Sequence, residues 1–111
     1  MAFGKAKPWR ATGAAAMASS LTPTAPISLV SVKLHLDIAG GAVENFTITS
    51  NSATDAVYDT VLFAQDMNTT TDILWVPEQP IPIVNCDVLD FAYTNTNSRT
   101  WGLEVIYRSE V

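Results

Sequence analysis

The sequence has one cysteine, Cys86, and one histidine, His35, in 111 residues. A lone thiol has no internal disulfide partner, and no Cys-x-x-Cys pair exists to hold zinc. A lone imidazole excludes multi-histidine metal sites. Charge is sparse as well: 15% of residues are Asp, Glu, Lys or Arg, too few for a coiled coil or a charged helical bundle. With 48% hydrophobic residues the chain is too apolar for a disordered protein. Nowhere do about 18 apolar residues run together, so no membrane-spanning helix and no membrane partner are expected. Lysines followed by small residues open the chain, but "ATGAAAMASSL" is alanine-rich where a secretory leader is leucine-rich, so it is not read as one.

What charge there is divides unevenly. Residues 1–26 carry Lys5, Lys7 and Arg10 and no acid, a net +3, while residues 27–111 carry three cations against eleven acids, a net −8. A basic segment on an acidic body seeks an acidic neighbour that the body would repel. Three cations neutralise too few phosphates for firm duplex binding, so nucleic acid is not an expected partner. The same 26 residues hold eight alanines, three prolines and two glycines, little with which to offset the entropy of ordering alone. They therefore read as an extended N-terminal arm held by a neighbouring subunit, with "AAAMASSL" long enough for one or two marginal helical turns. Trp9, a large aromatic among cations, is the expected anchor, the type of residue that dominates interface energetics. Phe3, Lys5, Lys7, Trp9, Arg10, Met17 and Leu21 are the candidate partner-binding residues.

From Ile27 the pattern has period two. In "ISLVSVKLHLDI", Val30, Val32, Leu34, Leu36 and Ile38 fall on one face, and Ser31, Lys33, His35 and Asp37 on the other. "ENFTITS" places Phe46 and Ile48 inward, and "AVYDTVLFAQ" reads as a further strand apolar on both faces. "PEQPIPIV" carries Pro77, Pro80 and Pro82, which remove ladder donors and mark an edge or a bend between sheets. Leu89, Phe91 and Tyr93, then Trp101, Leu103, Val105 and Tyr107, alternate in the last two strands. Six to eight short strands with turn signals between them, and no amphipathic helix, predict an all-β antiparallel sandwich or jelly roll over residues 27–111.

No constellation for catalysis follows. Asp87 and Asp90, or Asp66 and Asp72, are close in sequence but sit at turns, where aspartate bonds backbone amides. "DMNTTTD" lacks the glycine and closing glutamate of a calcium loop. His35 reads as a solvated or interface residue and Cys86 as a small turn residue. Neither enzyme activity, nor a metal, nor a cofactor is expected. Trp75, beside the proline bend, and Tyr58 are the aromatics placed to stack a sugar.

The stretch "EQPIPIVNCDVLDFAYTNTNSRTWGLEVIYR" resembles small β-sandwich structural proteins of tailed-bacteriophage particles: a proline-containing approach, a tight turn, a strand, an Asn-rich loop and a closing Trp/Leu/Val/Tyr strand. The turn is Asn85-Cys86-Asp87, with Cys86 where that pattern has glycine. The likeness covers about residues 30–108 and is one of style; carbohydrate-binding jelly rolls share it. It implies a virion location and a non-enzymatic role in capsid decoration or at the head, connector, tail or fibre. Its implied partners are other virion proteins and further copies of the chain, trimers being common among decoration proteins. A carbohydrate-binding module for host adhesion, with a glycan partner, is the alternative.

Overall fold

A computed structural model describes residues 5–84 and 86–109. Nine strands are seen there: β1 Ala6–Gly13, β2 Met17–Leu21, β3 Ile27–Leu36, β4 Asn45–Asn51, β5 Thr60–Asp66, β6 Asp72–Trp75, β7 Ile81–Ile83, β8 Val88–Tyr93 and β9 Trp101–Ser109. All ladders are antiparallel. One sheet has the order β1-β9-β3-β6 and the other β2-β8-β4-β5. Consecutive strands thus take matching places in opposite sheets, β1 with β2, β9 with β8, β3 with β4 and β6 with β5. That winding is a jelly roll, the architecture expected for the body.

β7 continues β6 rather than adding a place. Both lie along the same flank of β3, β6 opposite Val32–His35 and β7 opposite Ile27–Leu29. Pro77 and Pro80 fall in the break between them, so the proline-rich segment is an interrupted edge strand within one sheet. The break lies beside a register shift in the β3–β9 ladder between Leu29 and Ser31. The same bulge corrects the first strand's inward set: Leu29 is fully buried, Val30 is half-buried, and Ile38 lies beyond the strand and is exposed. A bulge adds one residue, and with a side-chain period of two it exchanges the faces before it. In "AVYDTVLFAQ" the first residues form a 3-10 turn, Ala56–Tyr58, and a second bulge leaves Val61 exposed.

The larger correction concerns residues 1–26. The expected arm supplies two strands of the sandwich, β1 at the edge of one sheet and β2 at the matching edge of the other. Its alternation is weak because the small side chains, mostly Ala, Ser, Thr and Gly, leave little apolar contrast between the two faces. Within "AAAMASSL", which is long enough for one or two marginal helical turns, Met17–Leu21 is strand instead and pairs Met17 with Tyr93 and Leu21 with Leu89. The sandwich therefore starts at Ala6, not at Ile27.

The core lies between the sheets and includes Leu29, Val32, Leu34, Leu36, Phe46, Ile48, Met67, Leu89, Phe91 and Val105, all fully buried. Trp9, Val105, Val32 and Trp75 form one inward row across the first sheet. Trp9 stacks on Phe91 at 5.7 Å between ring centroids, and Trp75 meets Phe63 at 5.4 Å. The two indoles thus close the two flanks of the core against the second sheet.

Candidate interaction surfaces

The residues expected to bind a partner separate into two groups. Trp9 and Leu21 are half-buried and packed against the core, and Met17 is buried within it. They are held inside by the pairing of β1 and β2, so they are not free anchors for a neighbour. Lys5, Lys7 and Arg10 are exposed. Phe3 lies outside the described residues.

Arg10 belongs to a charged row on the outer face of the first sheet. The registers align Arg10, Glu104, Lys33 and Leu74 across four strands. Glu104 accepts Arg10 Nε at 2.6 Å and approaches Lys33 Nζ at 2.7 Å. The hydrogen bonds from Lys33 and then Arg10 hold its carboxyl below the ordinary range. The next row is Thr12, Gly102, His35 and Asp72. His35 Nδ1 lies 2.5 Å from Asp72 Oδ1, and this bond, then the one from Thr71, lowers the Asp72 carboxyl. A side chain on Gly102 would meet nothing, so the face is hollow there, forming a shallow depression walled by Lys33, His35, Asp72, Leu74 and Glu104. Its donors and acceptors are mutually paired, and all but the half-buried Glu104 are solvent-exposed.

The suspected carboxylate pairs serve turns and strand contacts. Asp87 accepts the Ala53 amide at 2.9 Å, and Asp66 the Asn68 amide at 3.0 Å. Asp90 accepts Ser20 Oγ and Asn51 Nδ2. Among the described residues no group of three or more His, Cys, Asp or Glu side chains has metal-holding geometry.

At one end of the sandwich the β1–β2, β3–β4, β5–β6 and β8–β9 connections lock together. Asn95, buried and left-handed at φ 55°, donates to the carbonyls of Ala15 and Arg99 at 2.9 Å. Arg99 Nε donates to Ala39 O at 2.9 Å, and Asn97 Nδ2 to Gly40 O at 2.8 Å. Gly40 has no alternative there, since a Cβ would lie 2.7 Å from Met67 O and 2.5 Å from the Tyr93 hydroxyl. Burial, then Glu44, raises the Tyr93 phenol, whose hydroxyl has no hydrogen-bond partner among the described residues.

The other end carries a feature missed in the strand reading of "AVYDTV". Asp55 caps the 3-10 turn by accepting the Val57 amide at 2.9 Å, and Asp59 accepts the Ser52 amide at 2.8 Å. The turn buries none of its residues: Val57 is 76% exposed and Tyr58 64%, with Val61 exposed beside them. An "Asp-x-x-Tyr-Asp" spacing between strands is the signal that could have found it, because short acidic side chains cap turns. Trp75, in contrast, is half-buried against Phe63, so its ring is not an open sugar platform.

Fold and surface together define a small jelly-roll β-sandwich with an ordered apolar knob at one end and a paired-charge face on one sheet. No family model matches the chain, and no curated protein is significantly similar to it.

Proposed function

We propose that the chain is a non-enzymatic structural protein of a bacteriophage particle, a capsid decoration or cement subunit or a head- or tail-associated one. The knob carries this reading. Val57 and Tyr58 are large apolar groups fixed by aspartate caps and left exposed among the described residues, a surface suited to packing against protein. Jelly rolls recur in viral capsid domains and in lectins, so the fold agrees with this role without selecting it. Attachment runs through the folded surface, because residues 6–21 are committed to the sandwich.

Mass spectrometry and immunogold labelling of virions purified from a culture producing the chain test this. Stoichiometric copies that stay with the particle through density-gradient purification are expected; their absence would refute the role. The second reading, a glycan-binding module, draws on the depression over Gly102, which offers hydrogen-bonding groups beside the exposed Leu74. A glycan array with no binder removes it, as does binding unaffected by His35→Ala.

A further inference from the structure

We infer that the knob docks into a cleft on a second copy of this chain, so that copies join knob to cleft. This deepens the structural role proposed above and rests on it for its biological purpose, although the contact itself is testable without particles.

The cleft opens where the N-terminal half of β1 meets the β2–β3 connection. Lys7, Leu21, Pro23, Ile27 and Tyr107 line it. Lys7 stands opposite Tyr107 in the β1–β9 ladder. Lys7 forms no ion pair among the described residues, unlike Arg10 and Lys33, which share Glu104. Lys7 thus sets a cation at the rim of a cleft whose walls mix the apolar Leu21, Ile27 and Tyr107 with Thr22 and Thr24.

The knob has the complementary character. Its apolar tip, Val57 and Tyr58, is flanked by Asp55 and Asp59, and Asp87 braces the same segment through Ala53. One oxygen of each carboxylate is used on a backbone amide, and the charge remains to face a cation. An aromatic ring entering this lysine-rimmed cleft against Leu21, Ile27 and Tyr107 combines area burial with a cation–π contact. The chain's own basic segment is thus the acidic neighbour-seeking surface, and the partner with matching chemistry is the chain's own acidic body.

Knob and cleft lie at the same end of the sandwich and are braced through one connection. Cys86 N donates to Pro23 O at 3.2 Å on the cleft side, and Asp87 accepts Ala53 N on the knob side. Each copy therefore presents both halves in fixed relation, and a head-to-tail contact of this kind repeats into a ring or an open string. Because the attraction is partly between exposed charges, salt weakens it.

The test uses the full chain and sedimentation at low and high salt. Wild-type protein is expected to associate with rising concentration, less so at high salt. Tyr58→Ala and Lys7→Glu should each be monomeric with unchanged circular dichroism and melting. Mixed together, they should form a one-to-one complex that grows no further, since the first retains its cleft and the second its knob. A wild-type chain that stays monomeric overturns the inference, as does Tyr58→Ala that associates like wild type or a mixture that forms no complex. Self-association without particle incorporation would leave the contact standing and remove the virion role.

Discussion

Trp9 shows how a single side chain's environment reverses its meaning. Among alanines and cations it looks like an anchor for someone else's pocket; paired opposite Val105 and stacked on Phe91, it closes a flank of its own core. Trp9→Ala should therefore lower stability by about 2–3 kcal/mol, read by chemical denaturation, whereas a free anchor would leave the melt unchanged. Cys86 makes the opposite case. Its φ of 76° is in the left-handed region that glycine occupies without strain. Cys86→Gly should raise stability by about 0.5–1 kcal/mol in the same assay, the reverse of a glycine replacement at positive φ.

Among the elements, the edge strands are the least legible in sequence and the most defended in structure. β1 carries a lysine, a proline and an arginine, β6 and β7 are split around prolines, and β5 is bulged; each device discourages pairing with another chain's edge. Central strands β3, β8 and β9 were legible because both their neighbours and their alternation agree, apart from the bulge after Leu29. The outer ladder joining β1, β9 and β3 gives a pH dependence with a fixed sign. Glu104 and Asp72 are held below their ordinary values of 4.5 and 3.8 in the folded state, so the stability they contribute is complete above those values and is lost as pH falls through the lowered ones. The melting temperature should fall on acidification from about pH 5 to about pH 3, and Glu104→Gln should flatten part of that fall. An unchanged slope in this variant would mean that the Lys33 and Arg10 contacts do not persist in solution.

On the scale of the whole molecule, removal of residues 2–26 is decisive. It deletes an edge from each sheet, the core residue Met17 and the indole over Phe91, and it exposes the ladders of β8 and β9. The truncated chain should lack a cooperative melt and the near-ultraviolet dichroism of packed aromatics. A well-folded truncation would restore the picture of a free arm. Sequence alone determined the class: alternation from Ile27 onward, proline at an edge, aspartates at turns, and too few cysteines and histidines for a staple or a multi-histidine metal site. These follow from local rules, the side-chain period of a strand and the backbone preferences of single residues. Tertiary structure decided that residues 6–21 are part of the sandwich, that Val57 and Tyr58 stand out as a knob, and that Lys7 rims a cleft. Each of those depends on which strand lies beside another, and pairing between residues a hundred positions apart leaves almost no trace in the local pattern of either.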